Sequence, residues 1–418
     1  MQACCSHTPP HPNPLPQGAG PAHEELKEYW ELRQTAGMET TKGEPRDLLF
    51  AQHFATLPDP RRRLPQHPLL SILFIVLAAQ LCGAEGWDAM AAFARAKQAW
   101  LGSFLELPKG VPSADTLRRV MAALDPRAFE ACFRSWVGAL AKALRGEVVA
   151  MDGKAINGAY EAAHRTPPLY LLHVWATEQR LLLGQQAVGG APGESPGAEA
   201  VLKLLALTGA VVTGDANLCT KRVAQTVLAQ GADYVLALKG NRGPVHAHVQ
   251  QFWSTAAAQD FAGVAVRRVR RLSTGHGRTE ERRSFAVAPS LLPPLVQRWP
   301  GVASVIMVER SRSTTERTQR ERHYYLSSLP PKVHTLHYAI RQHWRVENDL
   351  HWCLDVSFGE DQCRIRHLRA AENVAMIRRM AVQLLKRQPG ETVGLPIRRL
   401  RAGWDNAYLV QVLSTGLT

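Results

Sequence analysis

The sequence predicts a mixed α/β protein: a sheet flanked by helices, preceded by an all-helical region and interrupted late by a β-rich insertion. Three observations carry this expectation. From residue 147 to residue 238, short apolar runs alternate with stretches of helical periodicity, the pattern of a mixed sheet with helices on its faces. Two of those runs, Val148-Val149-Ala150-Met151 and Ala210-Val211-Val212-Thr213-Gly214, stop at an acid, Asp152 and Asp215. Residues 44–146, by contrast, show helical spacing.

Taken in order, residues 1–43 are rich in Pro, Gly and His and have almost no apolar periodicity, so a disordered leader is expected. Its Cys4, Cys5, His7 and His11 are metal-ligating residue types, but so loose a tail predicts no metal site, and Met38 offers a later start. Leu69 to Leu77 predicts a core helix and Trp87 to Leu105 an amphipathic one. Ser113 after Pro112 is placed to cap a third, because a Ser oxygen accepts the free N–H groups of a first helical turn. In this region, 44–146, Arg118 and Arg119 sit early on the third helix and either contact DNA or lie on a solvated face.

Glu147 to Lys154 reads as a strand, followed by strands at Tyr170–Ala176 and Leu181–Ala187 and a helix over Ser195–Leu207. The run ending at Asp215 precedes a helix over Thr220–Gln230 and a strand at Tyr234–Leu238. Residues 242–332 form the insertion: a helix (Val245–Ala256) and strands near Val264–Val269, Arg282–Val287, Val302–Val308 and His323–Leu326. A basic helix over Ala370–Arg387 closes a catalytic region of 147–390, and 391–418 is expected to be a tail with weak signals.

The chain has 418 residues, a net charge of +14 and a pI near 9.8. A balance this basic suggests a polyanionic partner, nucleic acid or an acidic membrane surface. The longest apolar run, Pro68 to Ala84, is short for a membrane span and contains Gln80, so a buried helix is expected and no membrane. Seven cysteines without a CxxC pair fit free thiols in a reducing cytoplasm, and the N-terminus shows no export signal.

The stretch from His337 to Trp352 has no Gly or Pro, and Ile340, Trp344, Leu350 and Leu354 recur at helical spacing. As a regular helix it would put Glu347 near the middle of its apolar stripe, flanked by His343 and His351. A carboxylate there is costly unless it is salt-bridged or faces a cation. Asp152, Asp215 and Glu347 together would suit one or two Mg²⁺ or Mn²⁺ ions, which keep positions open for phosphate and water. Alternatively, strand-terminal Asp residues cap turns, and the Glu pairs with a base. His351 either orients Glu347 or packs in the core, and Asp355, Glu360 and Asp361 are rivals for the third acid.

Several segments together resemble bacterial insertion-sequence transposases of the DDE class, most closely the ISAs group that includes the H-repeat-associated proteins. They are Met151-Asp152-Gly153-Lys154, Val212-Thr213-Gly214-Asp215-Ala216, Leu238-Lys239-Gly240-Asn241, His276-Gly277-Arg278-Thr279-Glu280-Glu281-Arg282, Pro112-Ser113-Ala114-Asp115-Thr116 and, most extensively, His343 through Val356 with Glu360-Asp361. The resemblance spans about residues 44–390 in the family's order. It implies an RNase H-like core with a β insertion between the second and third acids. It also implies Asp152, Asp215 and Glu347 as the metal-binding triad, a DNA substrate and a homo-oligomer on DNA.

The wider superfamily's Tyr, Arg, Glu, Lys signature, laid on Glu347, falls on Ile340, His343 and Leu354. Leu354 cannot contact a phosphate, so DNA contacts pass to Lys154, Lys239 or the insertion arginines Arg267, Arg268, Arg270, Arg271, Arg278 and Arg282. Asn241, His343 and Arg345 complete the expected DNA-contacting set. Of the group's Lys-Ser-Asn-Glu, only Glu194 is present. Trp299 and Trp344 are expected in the core, with stacking on an extruded base as the alternative.

Overall fold

The computed structural model describes residues 49–62, 64–159, 168–190, 193–275, 278–313 and 318–414. The leader expected over 1–43, with its Cys and His residues, lies outside them, as do His276 and Gly277.

Helices come first: α1 (Leu49–Phe54), α2 (Leu69–Leu81), α3 (Trp87–Ala96), α4 (Ala114–Ala123) and α5 (Pro126–Leu140). Ser71 through Leu81 of α2 are all buried, as expected of a helix apolar on every side. Among the described residues no helix is long and apolar enough to cross a membrane. The helix expected from Trp87 to Leu105 is interrupted at Lys97, with only one further turn over Gln98–Leu101. Ser113 does cap α4, accepting from Thr116 N at 3.2 Å. Asp125 accepts from Arg127 N at the start of α5, with Pro126 at the first helical position, where no donor is needed.

Nine strands then build one sheet in the order β3-β2-β1-β4-β5-β9-β8-β7-β6. They are β1 (Val148–Ile156), β2 (Leu169–Ala176), β3 (Leu181–Val188), β4 (Val211–Gly214), β5 (Asp233–Leu238), β6 (Arg267–Gly275), β7 (Arg278–Val287), β8 (Ser304–Ser313) and β9 (Thr318–Ser327). β1 pairs antiparallel with β2 and parallel with β4, and β4 is parallel to β5. Helices α6 (Glu194–Leu202), α7 (Lys221–Ala229) and α8 (Gly243–Ala258) fill the connections. This is the mixed, helix-flanked sheet expected of an RNase H-like core.

The insertion continues that sheet, because β9 pairs antiparallel with β5. Its strands also run well past the apolar segments that marked them in the sequence. Arg283 pairs opposite Glu309 and Glu309 opposite Arg322, so opposite charges across neighbouring strands extend the ladder where apolar packing ends.

Helix α9 (Val333–His343) packs on one face of the sheet. Its Val333, Leu336, Ala339 and Ile340 bury against Val148, Val211, Val235, Val269, Ala286, Ile306 and Val308, which belong to six strands. Past Trp344 the chain is no longer a regular α-helix: Val346–His351 and Cys353–Ser357 are π-helical. The continuous helix expected from 337 to 352 therefore changes phase, and Trp344, expected in the core, is 56% exposed. Trp299 is buried as expected.

The closing helix α10 (Leu368–Lys386) is buried rather than a basic surface, with Arg378 and Arg379 inside. Glu360 and Glu85 neutralise them. Residues past 390, where sequence signals are weak, form α11 (Leu395–Trp404) and α12 (Asn406–Leu413), the latter capped by Asp405.

Candidate active site

Sheet register brings the first two acids side by side. Met151 of β1 stands opposite Gly214, the last residue of β4, in a parallel pair, so Asp152 on β1 and Asp215 just past the end of β4 follow from neighbouring strands about 4.8 Å apart. At the end of β4 the chain turns, and Asp215 Oδ1 accepts from Asn217 N at 3.0 Å and Leu218 N at 3.2 Å. One oxygen thus caps the turn, as strand-terminal Asp commonly does. Asp215 still lines the same cleft as Asp152 and Glu347, a space of about 490 Å³.

Glu347 arrives from the π-helical segment that follows α9. Its carboxylate is 53% exposed rather than set in a core, and its Oε2 accepts from His351 Nδ1 at 3.1 Å. The same nitrogen stands 3.6 Å from Asp152 Oδ2. One ligand atom from each of Asp152, Glu347 and His351 falls within 4.8 Å of the others.

Burial drives the Asp152 carboxyl up to about 6; the His351 ring opposes this, while the charges of Asp215 and Glu347 add to it. The hydrogen bond from His351 holds Glu347 below the ordinary carboxylate range. A buried carboxyl raised in this way, with two further carboxylates on the same cleft, is one a divalent cation would relieve, and hard carboxylate oxygens suit Mg²⁺ or Mn²⁺. The residues present therefore fit such an ion.

Around this centre, Gly153 has no room for a side chain: a Cβ there would run into Glu194 Oε1 and the Tyr170 ring. Glu194 is buried, accepts from the Tyr170 hydroxyl, and burial raises its carboxyl. His343 Nδ1 meets Thr213 Oγ1 at 3.0 Å, and desolvation pulls its imidazolium down to about 4, against the charge of Asp215.

The expected DNA contacts separate into two sets. Lys239 is exposed on the cleft rim, which it shares with Arg322, His343 and Trp344. Arg267, Arg268, Arg270 and Arg271 are exposed along β6. Arg282 pairs with Glu280, which also takes Arg310 at 3.0 Å and Arg312 at 3.4 Å, leaving three guanidiniums on one carboxylate. Others are engaged internally: buried Lys154 holds Asp355 at 2.6 Å, Arg345 holds Asp349 at 2.9 Å, and Asn241 Nδ2 donates to Ala216 O at 2.9 Å. The Arg278 side chain lies outside the description.

The rival acids are likewise committed. Asp355 and Asp361 face Lys154, at 2.6 and 3.7 Å, and Glu360 is sealed against Arg379. Two residues that sequence reasoning did not single out sit behind the acids, His173 on β2 and Arg379 on α10. Each is fully buried in an apolar stretch, where nothing in local sequence reveals its partner.

Comparison with known proteins agrees in order and extent. The family model described as "Transposase DDE domain" matches residues 143–384, and one described as "DDE_Tnp_1-associated" matches 51–137. An uncharacterized protein in the dhlA 3′ region of Xanthobacter autotrophicus is 38% identical over 66% of this chain and 92% of its own length. The "Putative transposase YncI" of Escherichia coli O157:H7 is 29% identical, covering 87% of this chain and 94% of the relative. The "H repeat-associated putative transposase YhhI" of Escherichia coli strain K12 is also 29% identical, covering 87% and 97%.

Proposed function

The chain belongs to the transposase DDE domain family, an enzyme class of polynucleotidyl transferases and endonucleases, and from that premise we propose that it cuts the ends of its own mobile element and joins them to target DNA. Asp152, Asp215 and Glu347 would be the catalytic acids. These three carboxylates would hold the Mg²⁺ or Mn²⁺, two ions in this reading. Such a pair of ions activates the attacking oxygen and stabilises the leaving one in an in-line phosphoryl displacement.

The protein's own part is placement. In the first step water adds to the scissile phosphorus and the 3′ oxygen leaves, taking up a proton; in the second that 3′-OH loses its proton, attacks a target phosphodiester and expels the target strand's own 3′ oxygen. Lys239 at the cleft rim would steady a phosphate as a point charge, and the arginines of β6–β9 would follow the flanking backbone. The substrate would be the terminal repeats, bound by a homo-oligomer in the cytoplasm, with residues 44–146 contributing to end recognition.

The observation that carries this reading is the convergence of Asp152, Asp215 and Glu347 on one cleft from two strands and a separate helical segment. Asp152→Asn is expected to abolish Mg²⁺-dependent end cleavage while leaving end binding within about threefold, as expected when an interaction made chiefly in the transition state is removed. Unimpaired cleavage by this variant would refute the assignment. If the wild type binds ends but never cuts in Mn²⁺, it is a silent DNA-binding descendant. If it cuts without ever joining ends to target, it is a nuclease.

A further inference from the structure

A row of buried side chains runs back from the acids. Glu360 and Arg379 are both fully buried, with Arg379 Nη2 donating to Glu360 Oε2 at 2.9 Å and Nη1 to Ala375 O at 2.8 Å. Arg379 Nε donates to His173 Nε2 at 3.0 Å. His173 Nδ1 lies 3.0 Å from His351 Nε2, and His351 Nδ1 lies 3.1 Å from Glu347 Oε2.

A guanidinium has only donors, so the direction of every bond in this row is decided from its Arg379 end. His173 Nε2 must accept; its proton therefore sits on Nδ1 and is given to His351 Nε2. His351 Nε2 must then accept in turn, and its proton sits on Nδ1, facing Glu347 and Asp152. A second proton on either ring would set donor against donor. Burial and the charge of Arg379 hold His173 well below the ordinary imidazole range, in keeping with a neutral ring.

We infer that His351 positions the catalytic carboxylates as a hydrogen-bond donor and is not itself a metal ligand, its tautomer being set by Arg379 through His173. Distance alone suggests the opposite, since His351 Nδ1 lies within ligand range of both acids. A nitrogen that carries a proton has no lone pair for a cation. The inference rests on the proposed metal role of the acids, and its test separates the two.

Nitrogen-15 NMR of the metal-free, full-length protein should show His351 protonated at Nδ1; the Nε2–H form would overturn the inference whatever the acids bind. Pulsed EPR of bound Mn²⁺ should show no directly coordinated nitrogen. A coordinated nitrogen would overturn the role of His351 while sparing that of the acids, and absence of Mn²⁺ from the cleft would overturn both.

Substitution gives a further split. His173→Leu should lower Mn²⁺ affinity about tenfold or more, the usual cost of losing an outer-shell partner. His173→Gln, whose carbonyl accepts from Arg379 and whose amide donates to His351, should recover most of that loss. Equal losses in both variants would mean that His173 acts by packing, and the inference would fall.

Discussion

The interior of this sheet and its β6 edge gather opposite charge and handle it differently. Near β1 and β4, Asp152, Asp215 and Glu347 share a cleft, with Glu194 buried against Gly153. Across β6–β8 and α9, Arg282, Arg310 and Arg312 share Glu280, and Arg341, Arg271 and Arg282 together bear on His337. A carboxyl can answer burial and like charge by holding its proton, and burial first, then the charges of Asp215 and Glu347, push Asp152 up to about 6. A guanidinium cannot, so the basic edge keeps its charge and must find anions inside or outside the protein. Titration or a cation relieves the first region, and only a partner relieves the second.

If this division is right, substitutions in the two regions fail in different ways. Glu347→Gln should cut end cleavage by more than about a thousandfold with little change in DNA affinity, the signature of an interaction confined to the transition state. The Arg271→Ala/Arg341→Ala double variant should do the reverse. Its affinity should fall, the slope of log affinity against log salt should shrink by about 1 to 2, and cleavage at saturating DNA should survive. Equal loss of affinity in both variants would break the comparison.

Metal and pH sharpen it. The Asp152 carboxyl is raised in the folded protein, so the stability it contributes is present below the unfolded value near 3.8 and is lost as pH rises through about 6. Mg²⁺ should therefore raise the melting temperature at pH 8, worth about 2.7 kcal/mol at a hundredfold excess over Kd, and do much less at pH 5. A pH-independent shift would place the ion elsewhere.

The smallest effect belongs to the basic edge. His337 hydrogen-bonds Ser284 at 2.8 Å, and burial, then the charges of Arg341, Arg271 and Arg282, lower it to about 4. Its folded value is depressed, so the fold loses stability as pH falls from about 6.5 toward 4. His337→Gln should flatten that acid limb in thermal melts, and an unchanged limb would mean that other groups govern it.

How much of this was legible in the sequence depended on whether the signal was local. Asp152 and Asp215 stand out because each follows an apolar run, although β1 continues past Asp152 to Ile156, and parallel pairing of the two runs brings the acids together. The Ser113 cap and the buried α2 were readable for the same reason. Glu347 was found, but its surroundings were misjudged: a regular 3.6-residue period puts Trp344 in the core, and the π-helical stretch after it shifts the phase. Lys154 reads as a free cation beside the acids until Asp355, 201 residues away, is seen to hold it. His173 and Arg379 were illegible because their meaning lies wholly in each other.

Arg399 of α11 reaches back to fasten the end of the π-helical segment that follows Glu347. Its Nε and Nη2 donate to Gln80 O at 3.2 and 2.8 Å, it also donates to Ser357 O, and its guanidinium stacks 3.9 Å over the Phe358 ring. This clasp is made late in translation: all three acids have left the ribosome well before α11 can fold onto them. A chain cut short near residue 390 would keep every acid and still lack what pins the end of the segment carrying the third. A stop codon there should therefore behave like an active-site mutation.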